Sequence, residues 1–200
     1  MRSWSNCDAS GVFSKGGIDM ALRSLLMIFV LLSSLILAFQ EAQQELGAPY
    51  ENTDAYDVYD AILSTDAASA TSPLLISAVT EPSGMCLKPE GEWKRVLMPA
   101  IADYNEQNKK AYRLQPKFRM KQPYEFLTKQ EIYAHFKHPG EGGWVVLSAV
   151  GFNRQRTVAI LWVSRGCPGL CGGGTFHVLH KVEGKWKPLE WKGTSCAIAS

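Results

Sequence analysis

An α+β fold, with a C-terminal four-stranded antiparallel meander packed against two or three short helices from the N-terminal half, is what this sequence predicts. Three observations carry the expectation. Between Trp144 and Trp191, four short runs rich in β-branched and aromatic residues alternate with turn chemistry. The connections between these runs are too short to cross over to a parallel partner, so neighbouring runs must pair antiparallel. Upstream of Trp144, apolar residues recur at the three- and four-residue spacing of amphipathic helices. With 200 residues, 46% hydrophobic and 20% charged, the chain has ordinary globular composition and room for one core.

The chain opens with a polar leader, residues 1–19, followed by its most apolar stretch, Ala21 to Phe39. Residues 24–39 carry no charge, Arg23, Lys15 and Arg2 precede them, and Glu41, Glu45 and Glu51 follow. Positive charge stays on the cytoplasmic side, so the N-terminus is expected inside and everything from Glu41 onward outside. The run is an export signal or a membrane anchor, and both readings stay open. It is slightly shorter than a comfortable span, and no small-x-small cleavage site stands at Ala38 or Ala42. Met20-Ala21-Leu22-Arg23 with the run behind it is a complete signal sequence by itself, which leaves Met1 and Met20 both eligible as the start. Residues 1–40 are therefore read as leader, 41–53 as a polar linker with Gly47 and Pro49, and 54–200 as a single extracytoplasmic domain, periplasmic or secreted.

Within that domain, Ala55, Tyr56, Tyr59, Ile62 and Leu63 mark a first helix, with Asn52 or Thr53 as N-cap and acids in its first turn. Residues 67–72 are small and polar, a loop. Leu74-Leu75-Ile76-Ser77-Ala78-Val79 reads as a strand ended by Pro82-Ser83-Gly84. A second helix is expected from Pro99 to about Asn108, with Pro in its first turn and Ile101, Ala102 and Tyr104 buried. Residues 113–126, punctuated by Pro116 and Pro123, form an edge segment or covering loop. Thr128-Lys129-Gln130-Glu131 is a capping box opening a short helix that carries Ile132, Tyr133 and Phe136, and Pro139-Gly140-Glu141-Gly142-Gly143 ends it.

The meander follows. Trp144 to Phe152 is the first strand, and Asn153-Arg154-Gln155-Arg156 turns it into Thr157-Val158-Ala159-Ile160-Leu161-Trp162-Val163. A loop of residues 166–174 leads to Thr175 to Val182, and Glu183-Gly184 connects to Lys185 to Trp191. Val146, Val158, Ile160, Val178 and Leu179 are expected in the core, and Arg154, Gln155, Glu183 and Gly184 at exposed turns.

These residues carry a resemblance. Leu147-Ser148-Ala149-Val150-Gly151-Phe152-Asn153, an Ala-Ile-Leu-Trp-Val strand, Leu170-Cys171-Gly172-Gly173-Gly174, Val178-Leu179 and Gly184-Lys185-Trp186 resemble a family of uncharacterised exported bacterial proteins. That family has a Ser-x-Val-Gly-Phe-Asn strand, a Gly-rich hairpin that often contains Cys, and a closing Gly-Lys-Trp strand. The resemblance spans roughly residues 54 to 191 and implies export and a helix-plus-sheet fold. It brings no functional residue with it.

Charge and motifs exclude several classes. Residues 41–92 hold ten Asp or Glu against the single Lys88, and residues 93–200 hold seventeen Lys or Arg against seven acids. The basic residues are scattered, with no Arg-rich run and no RNA-binding aromatic signature, so nucleic acid is not an expected partner. Gly-x-Ser-x-Gly, His-Glu-x-x-His and a Walker glycine loop are absent. Gly172-Gly173-Gly174 lies between strands and lacks the helix N-terminus that favours phosphate. Cys167, Cys171, His177 and His180 have the residue types of a zinc site. However, two histidines three apart on a strand point to opposite faces, and an oxidising compartment pairs thiols. No metal and no cofactor are expected.

Setting aside Cys7 in the leader leaves Cys86, Cys167, Cys171 and Cys196, for which three connectivities exist. Pro168-Gly169 favours a turn that brings Cys167 and Cys171 together, and Cys86 with Cys196 follows by elimination. Glu90, Glu92, Glu131 and Glu141 are candidate carboxylates whose spacing brings no two together. Trp144, Trp162, Trp186 and Trp191 are expected mainly as core, with a sugar or peptide groove as the other use. The function expected is a non-enzymatic binding or structural role in the cell envelope, held to the membrane through Ala21 to Phe39 if that run is not cleaved, with a protein or small-molecule partner. The alternative is an extracytoplasmic hydrolase-like enzyme with its site on the sheet face near His177 or His180.

Overall fold

The computed structural model describes residues 47–64, 72–136, 143–168 and 171–199, all within a unit running over Leu46–Ser200. The apolar run from Ala21 to Phe39, Cys7, Glu141 and the expected loop at 67–71 lie outside the described residues. In chain order the elements are β1 (Ala48–Pro49), α1 (Thr53–Leu63), β2 (Leu74–Ser77), β3 (Lys88–Pro89), α2 (Trp93–Gln107), β4 (Tyr112–Arg113), β5 (Tyr124–Leu127) and α3 (Lys129–Phe136). They continue with β6 (Trp144–Leu147), β7 (Gly151–Phe152), β8 (Val158–Cys167), β9 (Cys171–Val182), β10 (Lys185–Pro188), β11 (Gly193–Thr194) and β12 (Ala197–Ala199).

The fold is α+β with antiparallel C-terminal strands, and β8 is its axis. It pairs antiparallel with β9 from Val158 opposite His180 to Cys167 opposite Cys171, β10 continues the meander beyond β9, and β6 flanks β8 on the other side. The pairing runs further than the sequence suggests. Residues expected as loop, Gly166 and Gly172 to Gly174, are strand, because the absent side chains make room for indoles. A Cβ at Gly166 would overlap the Trp144 ring, and one at Gly174 the Trp162 ring. The sheet is also mixed: β2 joins β6 in parallel and β5 joins β2 in parallel at the edge.

The strand expected from Trp144 to Phe152 is broken in two, and the break is where helix α2 docks. Ser148 donates its backbone N–H to Trp162 O at 3.0 Å and accepts Trp162 N–H on Oγ at 2.8 Å. Ala149 is held at both backbone groups by the Asn108 amide, each at 2.9 Å, and Phe152 N–H donates to Asp103 Oδ2 at 2.7 Å. Gly151 lies against the α2 backbone at Ala100 and Tyr104, where any Cβ would overlap main-chain atoms. Asn153 then closes the turn into β8 by accepting Thr157 and Val158 N–H on Oδ1, at 2.8 and 3.0 Å. The Ser-Ala-Val-Gly-Phe-Asn run is thus a joint between sheet and helix, held by hydrogen bonds to both.

Because residues 158–163 of β8 are buried on both faces, they read as a continuous apolar run instead of an alternating one. Ala159, Leu161 and Val163 face a core with Tyr50, Tyr56, Tyr59 and Phe118, and Val158, Ile160 and Trp162 face Leu97, Ala100, Ile101 and Tyr104 of α2. In the first core Tyr59 OH donates to Ser148 O at 2.7 Å, and Tyr50 OH accepts Val150 N–H at 3.0 Å. Burial pushes both phenols above the usual tyrosine range, keeping them neutral.

Several local expectations are corrected. Helix α2 starts at Trp93, so Pro99 sits inside it. Pro99 is on the solvent side, where the carbonyl it leaves unpaired can be hydrated. Ala102 is exposed, and Ala100 takes the core position beside Ile101. The α3 capping box forms, with Thr128 N–H and Oγ1 both donating to Glu131 Oε2 at 2.7 and 2.8 Å, but Tyr133 is 63% exposed. Val146 is only half-buried, whereas Val158, Ile160, Val178 and Leu179 are buried and Arg154, Gln155, Glu183 and Gly184 are exposed.

Candidate functional site

Helix α2 covers only part of its sheet face. Its apolar side meets Val158, Ile160, Phe176 and Val178; further along β8, towards the Cys167–Cys171 end of the hairpin, the same face is uncovered. By strand alternation Trp144 and Val146 on β6, and Trp162 and Ser164 on β8, point to this side. The glycines of β9 keep the surface low there. The result is a groove of about 380 Å³ floored by Trp144, Val146 and Trp162 and walled by Glu81, Pro82 and Ser83. A second hollow of about 470 Å³ shares Glu81, Trp144 and Val146 with it and is bounded by Lys129, Gln130, Ile132 and Tyr133 of α3.

The floor and wall are both braced. Trp162 meets Phe176 edge-on at 5.0 Å, and Phe176 meets Tyr104 edge-on at 5.3 Å, which links the floor to α2. The wall is held by Glu81 N–H donating to Leu147 O at 2.9 Å and by Tyr104 OH, which donates to Ser83 O at 3.2 Å. What the arrangement offers is therefore a preformed surface, apolar along the α3 side and polar at its rim. Among the described residues that line it, no nucleophile is hydrogen-bonded to a base.

The cysteines come together in the expected pairs at disulfide distance. Cys167 and Cys171 close the β8–β9 hairpin with Cα atoms 5.5 Å apart, at one end of the groove. Cys86 and Cys196, 110 residues apart, have Cα atoms 6.0 Å apart, and Cys196 N–H donates to Cys86 Sγ at 3.3 Å. Cysteines placed this way belong to an oxidising, extracytoplasmic environment. Among the described residues no helix is long and apolar enough to cross a membrane.

The histidines do not converge. His177 stands opposite Leu161 and His180 opposite Val158, on the two faces of the sheet, and neither lines the groove. Among the described residues no three His, Cys, Asp or Glu side chains are grouped to hold a metal ion. Of the candidate carboxylates, Glu131 is spent in the capping box, while Glu90 and Glu92 share a cleft with Glu190 that sequence spacing did not reveal. Trp186 is in the core, and Trp191 lines that same cleft. Sequence reasoning missed Glu81, Ser83 and Tyr133 as groove residues, since nothing local marks a wall built by a segment sixty residues upstream of the floor. Comparison with protein-family models, with curated proteins and with solved structures finds no match to this chain.

Proposed function

We propose that the protein is an exported, non-enzymatic binding domain of the bacterial cell envelope that takes a peptide segment of a partner protein in the groove over β6 and β8. The observation that carries this reading is the apolar half of the groove. Ile132, Tyr133, Trp144 and Val146 line one hollow, and the Tyr133 ring is left 63% exposed. A large aromatic kept at the edge of a preformed apolar hollow is the usual anchor of a protein contact. Lys129 and Glu81 at the rim supply opposite charges for the flanks of such a segment. The hydrolase reading has less support, because it needs a histidine and a carboxylate in one open cleft.

Panning a library of displayed random peptides against the chain tests this. Peptides with a bulky apolar anchor are expected to be enriched, and Tyr133→Ala or Val146→Asp should weaken their binding at least about tenfold. No enrichment over background, or undiminished binding by both variants, would remove the groove from the proposal.

Export rests on the run from Ala21 to Phe39, the positive charges before it, the cysteine pairs, and the resemblance to exported bacterial proteins. The N-terminus stays in the cytoplasm, and an uncleaved run anchors the domain in the inner membrane. Alkaline phosphatase fused after Ser200 is expected to be active in a bacterial host, and an inactive fusion alongside an active cytoplasmic reporter would refute export.

A further inference from the structure

On another part of the surface, the start of α2 and the C-terminal strap enclose a cleft of about 740 Å³. Its walls are Trp93 and Trp191, and its rim carries Glu90, Glu92, Glu190 and Lys192. The two sides are tied together: Glu90 N–H donates to Lys192 O at 3.1 Å, and β11 pairs with β3 just beyond. Trp191 lies over Gly193, whose φ of 147° leaves no room for a Cβ beside the ring. The cleft is therefore held open by main-chain contacts and does not depend on flexible side chains.

Acids near a helix start have a structural use, since they complement the positive end of the helix dipole. That accounts for Glu90 and Glu92. It does not account for Glu190, which arrives from the opposite end of the chain, nor for two indoles left half-exposed across the same opening. Among the described residues none of the three carboxylates is engaged in an ion pair or a side-chain hydrogen bond. Three carboxylates against the Lys192 ammonium leave two net negative charges in a cleft walled by two indoles. Indole faces attract cations through the ring quadrupole, and a weakly hydrated ammonium gains most because it loses least on entering.

We infer that this cleft binds an organic ammonium ion, with Trp93 and Trp191 as the cage and Glu190 as its chief counter-charge. The site is separate from the groove and does not depend on it. Titrating the full-length chain with choline and with its neutral isostere 3,3-dimethylbutan-1-ol, followed by tryptophan fluorescence and calorimetry, tests the inference. Choline should bind saturably and about tenfold more tightly than the alcohol. Trp93→Ala should abolish that preference, and Glu190→Gln should weaken choline several-fold, more at low salt than at high salt. Trp191 also packs on the core, so the exposed Glu190 provides the variant that leaves the fold intact, verified by circular dichroism. Equal affinity for the two probes, no saturable binding by choline, or an unchanged Glu190→Gln would each overturn the proposal.

Discussion

Replacing Cys86 and Cys196 together by serine is expected to destabilise the domain by about 4 to 5 kcal/mol. The two are 110 residues apart, and the entropy that a cross-link removes from the unfolded chain grows with the logarithm of the loop it closes. The native side points the same way. The strap after β10 is otherwise held by short ladders, β11 on β3 at two positions and β12 on β9 at three, which are weak closures for the end of a chain. Cys167→Ser with Cys171→Ser should cost only about 2 kcal/mol, because that loop is short and β8 and β9 already hold its ends in register. Urea unfolding of the three proteins measures the difference, and non-reducing peptide mapping identifies the pairs. A long-range pair worth no more than the short one, or a Cys167 peptide linked to Cys86 or Cys196, would contradict this account.

Truncating Ile160 to alanine should cost about 2 to 5 kcal/mol, towards the upper end of that range. The side chain is fully buried, with Gly151 in register on one side and Val178 on the other, beneath helix α2. The cost of such a truncation depends on how far the surroundings can collapse into the space. Here they cannot move easily. Helix α2 is pinned to residues 149–152 by Asn108 and Asp103, and Gly151 already touches its backbone. Shifts in the denaturation midpoint at constant slope report the loss directly. A loss below about 1 kcal/mol would mean that β8 is not the strand that holds the two cores together.

Much of the candidate groove's floor was legible, and little of its walls. Trp144 and Trp162 stand in runs that read as strands, whereas residues 172–174 read as a loop and the room they leave for the Trp162 ring shows only in the fold. Glu81 and Ser83 sit after a strand break that reads as an ordinary turn, and their approach to the floor depends on β2 pairing in parallel with β6. Parallel pairing leaves no local mark, since the partners are joined by some seventy residues whose path no short window encodes. The same limit hid the acidic cleft, which Glu190 and Glu92 line together because β11 returns to β3.

By itself the sequence determined the α+β class, the helices around Tyr56 and after Thr128, the meander from Trp144, and the cysteine pairs at disulfide distance. These follow from periodicity, capping chemistry, turn length and even-number pairing, all of which act over a few residues or are forced by elimination. Only the tertiary structure decided that both faces of β8 are buried over residues 158–163, that β2 and β5 extend the sheet in parallel, and that α2 begins at Trp93. It also decided that the Ser148 to Asn153 run is a joint between sheet and helix. Each of these is settled by packing between distant segments, where burial outweighs local preference: a proline inside a helix is tolerated because Leu97, Ala100, Ile101 and Tyr104 gain a sheet to cover.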